Sequence, residues 1–284
     1  MTEMLTDLQI LPRGVYLQLL VEMKLLDDAI IRSNEPEEVL TQKYEQLGDR
    51  FIIPWRKTKG RLRRLVMEKQ RSLAISVNCH LKDNLCMKCP ACLLFGGTGE
   101  VSTNKVPYNL LSRVMGDTFI SVRKVEDIST CTANAIDEKT LTTGQALMSL
   151  VKVPVETVFR GVVTLRDPTL HLALILIDGL ERVSRIGGST REWGRVRTTV
   201  EGYVLVDREI WSSYECANQK PTSNPVSSLN LNGSLEDAYK KVSEEFTALL
   251  GRENLGEQTQ AGRGKASKTS RKAAPLPDAT EAQN

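Results

Sequence analysis

VPVETVFRGVVTLRDPTLHLALILIDGLERVSR, residues 153–185, carries two different periods back to back. From Val153 to Leu165 the chain alternates through Val153, Val155, Thr157, Phe159 and Val163, the period of a strand with one face buried. Asp167-Pro168 supplies an N-cap and a proline for the first helical position. The helix it predicts runs to about Arg185 and stops at Gly187-Gly188. A last alternation, Val196, Thr198, Val200, Val204 and Val206, predicts a strand directly after it.

Toward the N-terminus the same order appears. Val15, Leu17, Leu19, Val21, Met23 and Leu25 alternate with Gln18, Glu22 and Lys24, which reads as a strand, although Leu17, Leu20, Val21 and Leu25 also suit a helix. After an acidic loop (Ser33–Glu38) and an apolar entry at Phe51-Ile52-Ile53-Pro54, Gly60–Gln70 reads as a basic helix with Leu62, Leu65 and Val66 on its buried side. Leu73, Ile75 and Val77 resume a strand period, a cysteine cluster interrupts it, and Phe119–Val125 is a further strand. Strand, helix, strand, strand, helix, strand is the order of the α+β ferredoxin-like βαββαβ fold, also called RRM-like. It would occupy residues 1–215, with a Cys/His-rich insertion at 72–100 and a Thr-rich one at 126–151. Residues 216–250 are a loop and an amphipathic helix capped by Ser234, and 251–284 have the composition of a disordered tail.

The composition describes an ordinary globular chain, 40% hydrophobic and 26% charged. The longest apolar run, Leu170–Leu180, is too short to span a membrane and contains His171 and Asp178. Without a basic and then apolar leader at the start, a cytoplasmic location and no membrane partner are expected. The net charge of +3 hides an asymmetry. Residues 1–49 hold four basic and ten acidic side chains, whereas residues 50–71 hold nine basic ones against Glu68. A charge run is often only a solvated face, but this density fits a polyanion footprint. With 5% aromatics and none arrayed on the predicted strands, RNA would be held by loops and not by stacking on the sheet.

Three segments carry chemistry. Cys79-His80-x5-Cys86-x2-Cys89-x2-Cys92 puts thiolates and an imidazole at spacings suited to tetrahedral Zn²⁺. Five candidates compete for four places; His80, Cys86, Cys89 and Cys92 are favoured, with Cys79 as the alternative ligand. Reduced buried thiols, or an iron–sulfur cluster on the four cysteines, are the other readings. No ligand position looks open, so the zinc would be structural. The second segment, Ile52–Arg64, leads a basic loop into a helix, where free N–H groups, the positive helix end and Arg56, Lys57, Lys59, Arg61 and Arg63 favour phosphate. Trp55 within it is expected in the core. In the third, Ile186–Val196, Gly187 and Gly188 would let a phosphate approach main-chain N–H groups, with Arg191 and Arg195 alongside.

IIPWRKTKGRLRR (52–64) resembles the Pro-x-x-x-x-Lys-Gly-x-x-Arg motif of the repeat-associated RAMP superfamily, at Pro54, Lys59, Gly60 and Arg63. CPACLLFG (89–96) resembles the Cys-x-x-Cys-x-Leu-Phe-Gly segment of CRISPR backbone subunits. TGQALMSLVKVPVETVFRGVV (143–163) and IGGSTREWGRV (186–196) resemble that family's later strand and terminal glycine-rich loop. In place of the superfamily's usual Gly-Ser-Ser, Trp55-Arg56-Lys57 follows the proline. With its cysteine-rich insertion the chain most resembles the backbone protein of type I-D effectors. The resemblance implies an RRM-like core, a zinc-containing insertion, and a thumb within Glu126–Val151 that wedges into the guide–target duplex. It implies a subunit that coats CRISPR RNA in several copies and supports target recognition, DNA most of all, in antiviral defence. Its partners would be further copies of itself, a large subunit and a guide-end-capping subunit.

Type III relatives cut target RNA with an aspartate after the first strand; here Asp27, Asp28, Glu35, Glu37 and Glu38 show no clear equivalent. His80 is better used on zinc, and His171 sits among leucines where a core role is expected. The expectation is a binding protein and not an enzyme, the alternative being a type III-like backbone subunit with metal-dependent target nuclease activity.

Overall fold

The computed structural model describes residues 3–32, 40–81, 84–99, 106–125, 129–136 and 143–252. A seven-stranded antiparallel sheet carries helices on both faces, an α+β arrangement. Its central strands are β1 (Tyr16–Leu25) and β8 (Val158–Arg166), paired in register from Tyr16 opposite Arg166 to Lys24 opposite Val158. β9 (Val196–Val206) pairs with the free side of β1. On the other side lie β5 (Phe119–Lys124), β3 (Gly48–Ile53) and β2 (Thr41–Tyr44), in the order β2-β3-β5-β8-β1-β9. The short β4 (Val114–Gly116) prolongs β5 along β8. β6 (Ser129–Ile136) and β7 (Thr143–Lys152) form a separate two-stranded sheet.

The alternation in β1 decides its faces. Leu17, Leu19, Val21, Met23 and Leu25 enter the main core beneath α1 (Trp55–Ser72) and α3 (Leu170–Glu181), so the strand period wins over the helical one. Leu62, Leu65 and Val66 are the buried stripe of α1, as their spacing predicts. α1 meets α3 at Gly179, where a Cβ would stand 3.0 Å from both Leu62 and Val66. Two more helices close that side: α2 (Pro90–Phe95) and α5 (Leu235–Arg252), the latter opened by Ser234 Oγ accepting from the Asp237 N–H at 3.0 Å.

The opposite face of the sheet is not open. Residues 209–218, ending in α4 (Ser213–Asn218), lie across β1 and β8. Gln18, fully buried, accepts from the Ile210 and Trp211 N–H groups and donates to the Trp211 carbonyl. Leu20 and Val162 are buried with Cys216 under Trp211. That part of the sheet surface is therefore occupied by the chain itself.

Several boundaries differ from expectation. α1 starts at Trp55, since only the missing N–H of Pro54 breaks the pattern. Residues 73–78 are turns and not a strand, with Ala74 and Ser76 at φ of 57° and 45°. Asp167 does not cap α3; its carboxylate accepts from the Arg13 and Val15 N–H groups at the entry to β1, and Thr169 caps the helix instead. α3 ends at Glu181, short of Arg185. Val153 pairs singly with Ala29, a turn follows, and the strand proper starts at Val158. α4 crosses the expected boundary at 215, and the expected tail beyond Arg252 lies outside the described residues. Among the described residues no helix is long and apolar enough to cross a membrane.

Candidate nucleic-acid interface and metal centre

Where the chain leaves β1, enters α1 and leaves α3, three segments enclose a cleft of about 490 Å³. Arg32, Arg56, Lys57, Arg61, Arg64 and Arg185 line it, and no carboxylate does among the described residues. Arg32 Nε, Arg61 Nε and Arg185 Nη1 are buried donors without an acceptor there. The first turn of α1 opens beside them with no side-chain cap and no acidic residue, so its free N–H groups add positive potential. Burial, and then the charge of Arg56, push the Lys57 ammonium below its usual range, and it donates to the Arg32 carbonyl. Among the described residues the site has cationic donors in excess of acceptors, a balance that favours an anion.

Of the residues expected to bind RNA, the structure brings Arg56, Lys57, Arg61, Gly187 and Gly188 to this cleft. Lys59 and Arg63 lie elsewhere on α1. Lys59 Nζ donates to Ser112 Oγ at 3.0 Å, burial and then Arg63 lowering its pKa, and Arg63 keeps two buried guanidinium nitrogens without acceptors. Arg191 faces a neighbouring hollow with Ser189, Thr190 and Glu192, and Arg195 is exposed. Arg50, counted in the basic run, is 8% exposed and donates to the carbonyls of Leu47 and Ser121, so it serves the sheet. Arg32, Arg64 and Arg185 were missed. Arg64 stood inside the quoted motif, but only the tertiary fold brings Arg32 and Arg185 to it.

The glycine loop is shaped first by packing. A Cβ on Gly187, at φ 87°, would stand 2.5 Å from the Ile30 carbonyl, and the Gly188 N–H donates to that same oxygen at 2.7 Å. The segment 27–31 ties three regions together. Ala29 pairs with Val153 at the base of the β6–β7 hairpin, Ile30 pairs with Gly188, and the Asp28 carbonyl accepts from Gly194. Asp27 accepts from the Arg195 N–H and Asp28 from the Val155 N–H. Both aspartates thus hold backbone. The ring closes at Lys152, 6% exposed, whose ammonium lies 3.4 Å from the centroid of Trp193.

Beyond α1 the turns at 73–78 deliver Cys79 to the knuckle that ends in α2. The sulfurs of Cys79, Cys86, Cys89 and Cys92 all lie within 4.8 Å of one another, with Cys79–Cys92 and Cys79–Cys89 at 3.7 Å. A tetrahedral ion about 2.3 Å from each thiolate would set its sulfurs about 3.8 Å apart. The group therefore fits one metal ion, and it is too tight for the iron atoms and bridging sulfides of a cluster. Hydrogen bonds from Cys79, Cys89 and Cys92 hold the Cys86 thiol far below its usual pKa, while the same contacts push Cys89 up. Ionising all four needs a cation among them. His80, expected as a ligand, lies outside the group: it is exposed, its Nδ1 2.9 Å from the Asn78 carbonyl. The fourth place falls to Cys79, the alternative, because the turn at 76–79 points its sulfur inward.

His171 is half-buried between α3 and α5, its pKa lowered by burial and then by Lys241, with Glu245 opposing. Glu35, Glu37 and Glu38 lie outside the described residues. Trp55 packs on the core as expected, its ring filling the space where Gly116 would carry a Cβ.

A profile of the family described as Csc2 Crispr matches residues 8–268. Among solved structures the chain is similar to the crystal structure of Thermofilum pendens Csc2, at 19% identity and a TM-score of 0.54, over 84% of this chain and 82% of that one. It is also similar to a chain of a Type IV-B CRISPR complex, at 14% identity and a TM-score of 0.47, over 76% of this chain and 100% of that one. No curated protein matches.

Proposed function

We propose that this chain, which belongs to the Csc2 family of CRISPR proteins, is a backbone subunit of a CRISPR ribonucleoprotein effector of type I-D, and that it holds CRISPR RNA by its phosphates. The observation that carries the reading is the cleft of six cations with, among the described residues, no lining carboxylate and three buried guanidinium donors lacking acceptors. A guide must keep its base edges free for pairing, and a grip on phosphates does that. The strand order β5-β8-β1-β9, with α1 and α3 as the two crossovers, supports a ferredoxin-like core. The β6–β7 hairpin corresponds to the thumb, which would wedge into the guide–target duplex. Cys79, Cys86, Cys89 and Cys92 would hold a structural Zn²⁺ that clips the end of α1 to α2. The protein acts in antiviral defence in the cytoplasm, with target DNA, other copies and further effector subunits as partners. It cuts nothing itself: Asp27 and Asp28 are engaged with backbone N–H groups, a structural use.

The test is binding of single-stranded RNA against salt, together with light scattering over a series of RNA lengths. Affinity should be indifferent to sequence and fall with a slope of about −0.7 per phosphate neutralised. Mass should grow with RNA length while the RNA stays intact in Mg²⁺. Monomers at every length would overturn the backbone reading, and a cut target strand would make it a nuclease.

A further inference from the structure

A lysine ordinarily keeps its proton because water and nearby carboxylates favour the ammonium. Lys57 stands where both are reduced. It lines the cleft with Arg56, Arg61 and Arg185, and no carboxylate joins them among the described residues. Burial, and then Arg56, lower its pKa, so at neutral pH a larger share of it is the free amine than in an ordinary lysine. Its Nζ donates to the Arg32 carbonyl, a neutral acceptor that leaves the lone pair of the amine available. The side chain is exposed, so a reagent in solution reaches it.

A neutral amine is a nucleophile, and this one shares its cleft with donors suited to an anion. Arg32 Nε, Arg61 Nε and Arg185 Nη1 lack acceptors among the described residues. Arg61 follows Lys57 by one turn on the same face of α1, and Arg32 supplies the carbonyl that holds Nζ. The volume of about 490 Å³ lies within the roughly 300–1,000 Å³ of sites that take small molecules. A molecule with a phosphate at one end and an electrophilic carbon beside it would be gripped by the guanidiniums with that carbon close to Nζ.

We propose that Lys57 is a modification site, acylated by small acyl phosphates whose phosphate group the cleft binds. The amine attacks the carbonyl carbon and a C–N bond forms. The bond from that carbon to the bridging oxygen breaks, the oxygen keeps the electron pair, and inorganic phosphate leaves with the proton that the nitrogen gives up. The arginines act twice: they hold the reagent beside the nucleophile, and they stabilise the charge that grows on the departing oxygen. Lys59 is the internal contrast. Burial and then Arg63 lower its pKa too, but its Nζ is bound to Ser112 and it does not line the cleft. The reaction stands on the cleft alone, whereas its consequence rests on the RNA reading above. The amide removes one cation from the phosphate grip, so the acylated chain should bind RNA more weakly, with a salt slope shallower by about 0.7.

The test incubates the full chain with acetyl phosphate at neutral pH and follows each lysine by peptide mass spectrometry. Lys57 should take the acetyl group roughly tenfold faster than Lys43, which is exposed on β2, and faster than Lys59. Excess inorganic phosphate should remove that advantage without any change to the chain. Arg185→Gln, checked for an unchanged melting temperature, keeps the amine and removes a donor, so it should reduce the advantage. Equal rates at Lys57 and Lys43, a Lys59 rate equal to that of Lys57, or a Lys57 rate that phosphate leaves unchanged would each overturn the inference. RNA binding by the acetylated chain is measured afterwards. Selective acetylation of Lys57 with undiminished RNA affinity leaves the modification standing and overturns the cleft as the RNA grip.

Discussion

Lys57 and Lys59 stand two residues apart on one helix and do different work. Lys57 looks into the cleft with Arg61, one turn on, whereas Lys59 is bound to Ser112 and sits over Arg63. Reversing Lys57 and Arg61 to Glu should weaken RNA binding by about tenfold or more at 0.1 M salt and flatten the salt slope by about one unit or more. Reversing Lys59 and Arg63 should cost folding stability first, seen as a lower melting temperature, since partly buried contacts are lost there. Equal effects of the two pairs on RNA would mean that the cleft is not the interface. The cysteines separate in the same way. Purified protein should hold about one zinc per chain; Cys79→Ser and Cys89→Ser should lose it, and His80→Ala should keep it. Elemental analysis decides, and zinc lost from His80→Ala alone would restore the histidine as ligand. The residue types and spacings of both sites were legible from sequence. Their membership was not, because Cys79 or His80 is chosen by a turn at positive φ, and Arg32 and Arg185 reach the cleft from segments 153 residues apart.

At the scale of elements, strands with clean alternation were read with nearly correct ends: β5, β9 and the buried face of β1. Segments whose ends depend on distant partners were not. The acid before Pro168 looks like a helix cap, but Arg13 and Val15 claim its carboxylate from the far end of the core. Likewise Leu73, Ile75 and Val77 alternate like a strand, while the helix before them and the cysteines after them force a turn. The β6–β7 hairpin, read as polar and without period, holds together through its own ladder and is fastened at its base by Val153 and Lys152. Trp193→Leu should cost roughly 1–2 kcal/mol, because it leaves the buried Lys152 ammonium without its π partner. Adding Lys152→Met should restore much of that, since the orphaned charge is gone. A thermal-denaturation cycle measures the coupling, and a coupling near zero would leave the ring unfastened at this point.

For the molecule as a whole, the two faces of the sheet have opposite fates. The helical side carries the cleft at the first turn of α1, with the hairpin base beside it, and the cysteine cluster beyond the other end of that helix, about 27 Å along its axis. The other side is filled by the segment 209–218, so polyanion binding has one side available to it. Scarcity of aromatics had already argued against stacking on the sheet. The structure supplies a separate reason: on that face Leu20 and Val162 are covered by the chain's own Trp211 and Cys216.

This cover is also an event in time. A ribosome makes β1 first and finishes β9 at Val206 before Trp211 and Ser213 have been made. During that interval Leu20 and Val162 are a bare apolar stripe on a sheet otherwise complete. The newborn chain is therefore most prone to clump late in its synthesis. A chain stopped after Arg208 should aggregate or be bound by chaperones more than one stopped after Leu229, which carries the cover while both lack α5; sedimentation of the two translation products measures it. Equal solubility would mean that the stripe is shielded before its lid is made.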